Sequence, residues 1–250
     1  MKLSITCIGH NEGYHLKELI PSLQKWGDEV IYVDCESEDG SFEIAESFGC
    51  KVFRRPNDMN LNVNKSYAME QATGDWIFYV DPDERFDDVL MEEIKNRIQK
   101  GDCAAFKLPR RNHFFGQWLR FGGQYPDKQL RIFEKGKGHF PNKHVHESLV
   151  IDGKIGLLEN PMLHYPYLTI SQFLKKMDFY SSFEAKHMYD RGIRPSLKNH
   201  FKYLLFKPMS RFFRRYIIKS GFRDGIPGFF AAFFDAVGWM LRYFKLWELS

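Results

Sequence analysis

An α/β fold around a parallel sheet, with a helical extension behind it, is what this 250-residue sequence predicts. Three observations carry that reading. Up to about residue 100, short apolar runs alternate with segments of helical periodicity. Polar clusters follow the apolar runs, where strands would reach the rim of a sheet. Beyond Thr169 the chain reads as helical to its end and is rich in basic and aromatic residues.

Taken in order, residues 3–8 read as a strand, 15–26 as a helix and 29–33 as a strand. Residues 41–48 then read as a helix, 51–53 as a short strand, 63–72 as a helix, 76–80 as a strand and 87–99 as a helix. Strands alternating with helices of this length indicate βαβ units, whose ligands bind beyond the carboxyl ends of the strands. Asn11-Glu12 follows the first strand, Asp34 to Gly40 the second, and Asp81 to Glu84 the last. From Ala104 to about His164 the texture changes to short β-rich pieces punctuated by Gly122-Gly123, Tyr125-Pro126 and Phe140-Pro141, an extension of the sheet with loops rather than a separate domain.

With 44% hydrophobic and 27% charged residues the chain is a folded globular protein. Cys7, Cys35, Cys50 and Cys103 form no CxxC pair, so they read as reduced core thiols of a cytosolic protein. Met1-Lys2 leads straight into a strand-like run too short for a signal peptide. The net charge of +4 hides an asymmetry. Residues 198–245 hold ten Lys or Arg against Asp224 and Asp235, so this stretch carries +8 and the remainder −4. Fourteen aromatic residues are interleaved with those cations, and no apolar run approaches the roughly 20 residues that span a bilayer. Such a tail suits an interfacial segment facing anionic lipid. A helical subdomain that packs its aromatics internally or in a homo-oligomer is the alternative.

The densest chemistry lies in Asp81-Pro82-Asp83-Glu84, directly after Trp76 to Val80. Two carboxylates one residue apart at a strand end can share a hard divalent cation, which in turn can neutralise a diphosphate. The competing reading is an acidic cap for the helix that begins near Asp87. Asp34 likewise reads either as a hydrogen-bond acceptor for a nucleotide or as an Asx-type turn leading to Gly40. Lys65, early in its helix, reads as a point charge for phosphate or as a solvated lysine. His139, His144 and His146 match no strong zinc spacing and have no nearby cysteine.

These elements resemble the family 2 glycosyltransferases of GT-A fold, a Rossmann-like architecture for nucleotide-diphospho-sugar transfer. The resemblance rests on Asn11-Glu12, Val33-Asp34 with Ser37 to Gly40, Asn64-Lys65-Ser66, Ala72 to Trp76, and Asp81 to Glu84 in that order. Tyr125-Pro126-Asp127 with Gln129 to Phe133, then Val145-His146-Glu147 and Leu163-His164-Tyr165, look like the branch that builds bacterial lipopolysaccharide inner core. So does the tail, with Phe212 to Tyr216, Gly221 to Gly225 and Lys245-Leu246-Trp247. His10 and Ser66 depart from the usual pattern and could adjust the choice of nucleotide or sugar.

The resemblance implies a GT-A catalytic domain over residues 1–168, divided into a nucleotide-sugar half (1–100) and an acceptor half (101–168). Residues 169–250 would be the helical, membrane-associating extension. It further implies a UDP-sugar donor, with Asn11, Glu12, Asp34, Lys65 and Asp81 on the nucleotide-sugar. Asp83 and His164 would hold Mn2+ or Mg2+, the imidazole suiting Mn2+ better. Gln129 and Arg131 would contact acceptor or phosphate, and Glu147 would be the base of an inverting transfer. The acceptor would be a lipid-anchored glycan at the cytoplasmic face of the inner membrane, and the hexose glucose. Transfer to polyprenyl phosphate or another surface glycan is the enzymatic alternative. A nucleic-acid-binding reading would use the basic tail but leaves Asp81 to Glu84 unexplained. A nucleotidyltransferase would need a basic loop after the first strand, where Asn11-Glu12-Gly13 stands instead.

Overall fold

A computed structural model describes residues 1–58, 60–141 and 148–250. The strands are β1 Leu3–Gly9, β2 Glu29–Asp34, β3 Lys51–Arg54, β4 Trp76–Val80, β5 Glu84–Arg85 and β6 Ala105–Phe114. They continue with β7 Gln117–Trp118, β8 Asp127–Glu134, β9 Gly138–His139, β10 Val150–Ile151, β11 Ile155–Leu157 and β12 Met162–Tyr167. The α-helices are α1 Gly13–Trp26, α2 Ser41–Ser47, α3 Leu61–Glu70, α4 Asp88–Lys100, α5 Ile170–Asp190, α6 Leu197–His200, α7 Lys207–Phe213 and α8 Gly225–Glu248. The chain divides into two compact units, residues 1–110 with 128–164, and residues 111–127 with 165–250.

In the first unit the sheet runs β3-β2-β1-β4-β8-β6-β12-β5, with β11 beside β6. β1 lies parallel between β2 and β4, and every residue of β1 and β4 is buried. Strands covered on both faces read as continuous apolar runs, which is why these were legible. β8 joins β4 antiparallel, Ile132 opposite Phe78, and changes the sheet from parallel to mixed. Leu16, Leu19, Ile20 and Leu23 of α1 and Leu90, Met91, Ile94 and Ile98 of α4 recur at helical spacing and close the main core over Ile5, Phe78 and Phe106.

Two helix boundaries differ from expectation for a local reason. The helix expected from residue 63 begins at Leu61, because the Asn60 side chain accepts from the Asn62 N–H at 3.2 Å. The last helix of the series is capped by Asp87, whose carboxylate accepts from the Leu90 N–H at 2.9 Å. Asp83 and Glu84 are therefore not its caps. The Ala72 to Asp75 turn ties the amino ends of three strands together. Thr73 donates to Glu29 from both its N–H and its hydroxyl, Gly74 N–H donates to Ser4 Oγ, and Lys2 N–H donates to Asp75. A Cβ on Gly74 would lie 2.7 Å from Ser4 Oγ and 2.8 Å from the Lys2 carbonyl, so only glycine fits this approach.

In the second unit, β7 folds back on the end of β6, with His113 opposite Trp118. Asp224 is the main fastening of this excursion to the helices, beside a Gly122 N–H bond to the Lys219 carbonyl at 2.9 Å. Asp224 accepts from the Arg120 and Phe121 N–H groups at 3.1 and 2.8 Å, and its carbonyl accepts from Gln117 Nε2 at 2.8 Å. α5 opens on a capping box formed by Thr169 and Gln172. Phe115, Tyr167, Phe173, Phe230 and Phe234 form an edge-to-face aromatic cluster, and Tyr203, Tyr243 and Leu246 are buried in a second core. Among the described residues, no helix is long and apolar enough to cross a membrane.

Candidate active site

The polar clusters meet at the carboxyl ends of β1, β2 and β4. Parallel register sets Gly9 opposite Asp34 and Cys7 opposite Val80, so the loops after all three strands open at one rim. The first two loops are knitted together. Asn11 N–H donates to Ser37 Oγ, Glu38 N–H to Asn11 Oδ1, Glu12 N–H to Ser41 Oγ and Gly13 N–H to Asp39 Oδ2, all at 2.8–2.9 Å. Asn11 and Glu36 adopt left-handed backbone (φ 56° and 55°), a conformation that costs free energy, and for Asn11 it is held by those bonds.

Asp34 is both turn and candidate site. Its Oδ2 accepts from the Ser37 N–H at 3.1 Å, closing the Asx-type turn. Its Oδ1 is buried and has no hydrogen-bond partner. A buried carboxylate oxygen without a donor is costly, and a ligand N–H or O–H would relieve it.

Beyond β4 a compact lattice of ion pairs surrounds Asp81. Lys65 Nζ lies 2.8 Å from Asp81 Oδ1, and Arg131 Nη2 lies 2.5 Å from Asp81 Oδ2 and pairs with Glu84. Arg110 Nη1 is 3.7 Å from the same Glu84 oxygen. Lys65 and Arg131 also lie over the Tyr79 ring, at 5.4 and 4.7 Å from its centroid. Burial alone would raise the Asp81 carboxyl, but Arg131 and Lys65 hold it well below the usual carboxylate range. Burial pushes the Glu84 carboxyl up, against the pull of Arg131 and with Asp81 adding repulsion. Burial would lower Lys65 and Arg131, yet Asp81 holds both above their ordinary values. Within this lattice Asp81 keeps a quarter of its side chain exposed.

A short antiparallel ladder brings the next pair together. β5 pairs with β12 so that Glu84 stands opposite His164, and Asp83, one residue earlier, meets the imidazole. His164 Nε2 lies 3.4 Å from Asp83 Oδ1, with side chains 13% and 14% exposed. A carboxylate oxygen and an imidazole nitrogen directed at each other fit a divalent cation of the Mn2+ kind. No cluster of three or more such donors occurs among the described residues. His164 does not stack on Tyr165, whose ring lies against His113.

The cysteines stay out of this chemistry. All four are free thiols, and burial pushes Cys35 and Cys50 up to about 11. Cys7 is raised further by burial and by the carboxylates of Asp81, Glu12 and Glu84, which thus surround the end of β1.

The structure thus gathers Lys65, Asp81, Asp83, Arg131 and His164, and places Asn11, Glu12 and Asp34 in adjoining loops. Gln129 is half-buried two residues before Arg131, on the same face of β8. Glu147, together with Lys143, His144 and His146, lies outside the described residues. Glu84 and Arg110 were not anticipated as site residues. Glu84 sits in a two-residue strand, too short to leave any periodicity in the sequence.

The family description "Glycosyl transferase family 2" matches residues 4–151, more than half of the chain. The lipopolysaccharide core biosynthesis glycosyltransferase LpsC of Rhizobium meliloti is 28% identical across 99% of this chain and 93% of its own length. An uncharacterized glycosyltransferase of Rickettsia typhi is 30% identical across 100% of this chain and 88% of its own. Among solved structures, the crystal structure of S. aureus TarS 1-349 in complex with UDP is similar at TM-score 0.51. That match has 16% identity and covers 95% of this chain and 81% of that one.

Proposed function

Because the chain belongs to glycosyl transferase family 2 and has its α/β, GT-A fold, we propose that it transfers a hexose, glucose, from a UDP-sugar to a heptose of lipopolysaccharide inner core. The observation that carries the reading is the ion-pair lattice around Asp81 at the strand ends, with the unpartnered Asp34 Oδ1 in the neighbouring loop. A lattice that concentrates Lys65 and Arg131 at one partly exposed carboxylate is arranged to receive a ligand bearing both negative charge and hydroxyls. The UDP held by the TarS structure of similar fold supports a uridine nucleotide, and the LpsC similarity along the whole chain supports a core acceptor.

Asp34 Oδ1 accepts from the uracil, and Asp81 accepts from the ribose while Lys65 and Arg131 face the diphosphate. Asp83 and His164 would hold a divalent cation, which supplies neutralising charge to the departing diphosphate. Glu147 takes the proton of the acceptor hydroxyl. The acceptor oxygen then forms its bond to the anomeric carbon from the face opposite the leaving group, and the bond to the diphosphate oxygen breaks with its electron pair on UDP. Gln129 contacts the acceptor. Transfer takes place at the cytoplasmic face of the inner membrane, where a lipid-anchored acceptor is exposed, and the basic, aromatic tail supports that placement.

The test is UDP release and sugar transfer by purified protein offered UDP-glucose, UDP-galactose, UDP-GlcNAc and GDP-mannose. Heptose-bearing core acceptors would be supplied with Mn2+, Mg2+ or EDTA. UDP release from UDP-glucose should require the cation and fall at least 100-fold in Asp83→Asn, an effect of about 3 kcal/mol on the barrier. Transfer should disappear in Glu147→Gln. Transfer surviving there would point instead to an acceptor that is already anionic, a polyprenyl phosphate. No turnover of any donor would overturn the scheme.

A further inference from the structure

In the second unit, residues 197–218 form a helical rod that carries a column of apolar side chains on its outer side. It passes through α6, a π-helical stretch Phe201–Phe206, α7, and a second π-helical stretch Arg214–Ile218. An α-helix closes a turn in 3.6 residues, whereas the i→i+5 bonding of a π-helix widens the turn to roughly 4.4. The two geometries alternate in equal measure, so the rod averages about four residues per turn. Side chains at every fourth position therefore stay in line instead of drifting around the helix.

The sequence uses that line. Leu197, Phe201, Leu205, Met209, Phe213 and Ile217 recur at intervals of four, and all are between 45% and 74% exposed. The charged residues at the same interval point the other way. Lys207 Nζ lies 3.8 Å from the Trp239 ring centroid, and the Nε atoms of Arg211 and Arg215 lie 2.7 and 3.0 Å from Asp235 on α8. Tyr203, on this inner line, stacks on Tyr243. A helix on the surface of a water-soluble domain turns its apolar stripe inward and its charges outward. This rod instead leaves an unbroken apolar line outside while Lys207, Arg211 and Arg215 turn inward beside Tyr203.

The positions next to the apolar line complete the pattern. Lys198, Lys202 and Arg214 are exposed there, and no Asp or Glu occurs between Asp190 and Asp224. We infer that this face lies on an anionic lipid surface, its apolar column immersed at the acyl boundary and its cations among the headgroups. A second copy presenting the same face would set cations against cations, so charge complementarity favours lipid over self-association. The inference extends the proposed membrane-side reaction by naming the surface that docks.

The full-length protein would be sedimented with vesicles of phosphatidylcholine and phosphatidylglycerol, and with vesicles of phosphatidylcholine alone. Its mass in solution would be read by light scattering. The wild type should bind the anionic vesicles, and less so as salt is raised. Phe201→Ser/Leu205→Ser/Phe213→Ser should abolish binding. Lys198→Gln/Lys202→Gln/Arg214→Gln should weaken it about 100-fold, since each cation near an anionic surface contributes about fivefold. Both variants should melt where the wild type does. Wild type that ignores anionic vesicles, binding that survives the apolar replacements, or a wild-type dimer that those replacements split would each overturn the inference. UDP release is measured on the same samples without acceptor. Its absence beside intact vesicle binding would count against the transferase scheme alone.

Discussion

The two units place charge in opposite relation to function. In the first, cations and carboxylates converge at the strand ends, where Arg131 is nearly inaccessible and Glu84 completely so. In the second, Arg211, Arg215 and Asp235 pair on the inner side of the rod while Phe and Leu side chains face outward. The first arrangement keeps paired charges largely under cover from water. The second turns paired charges inward and leaves an apolar line outside. A buried ion pair is weak evidence of stability, because desolvation offsets most of its attraction. What each set of pairs marks is a different neighbourhood, the strand-end rim in one case and an exposed apolar line in the other.

The sharpest way to break the comparison is to remove one cation from the first unit. Arg131→Met leaves Glu84 and Asp81 facing each other without their shared partner, and should cost about 3–5 kcal/mol in urea unfolding. A loss near zero would mean that the lattice relaxes and that its charges are not committed. In the second unit, Tyr243→Ala empties a buried position beneath the rod and should cost about 3 kcal/mol by the same measurement.

Acid titration separates the units further. Burial would raise the Glu29 carboxyl, yet bonds from Lys51, Ser4 and Thr73 lower it to about 2 from an ordinary 4.5. Its folded value lies below its unfolded value, so the stability it contributes is complete above pH 4.5 and fades as the pH falls toward 2. Glu29→Gln should remove about 2 kcal/mol near neutrality and flatten that acid limb in a pH series of melts. The smallest effect is expected on the outer line of the rod. Phe201→Ser should change stability by no more than about 0.5 kcal/mol, since the ring rests on little protein.

The parallel core was legible because β1, β2 and β4 are buried on both faces, and burial on both faces writes itself as an apolar run. The rim was legible because its loops follow those runs directly. Other features left no local mark. The Ala72 to Asp75 turn carries part of the family resemblance, yet it binds the amino ends of the strands, away from the rim. The sequence marks Arg131 only as an acceptor or phosphate contact, and only the β4–β8 pairing brings it to Asp81. Residues 111–127 look like part of the sheet extension but belong to the helical unit, because Asp224, far along the chain, holds them. The period of four in residues 197–218 fits neither an α-helix nor a strand, and it acquires meaning only once the π-helical turns are known.

Asp224 also imposes an order of assembly. Its partners Gln117, Arg120 and Phe121 leave the ribosome 103 to 107 residues before it does. Strands β6 and β8, on either side of that segment, can enter the sheet as soon as they are made. The loop between them must wait through the synthesis of α5 and the whole rod. Closing so distant a contact is slow, and a unit that depends on it matures last. The rim at the strand ends would thus be finished on the nascent chain while the helical unit, with its exposed apolar line, is still being completed.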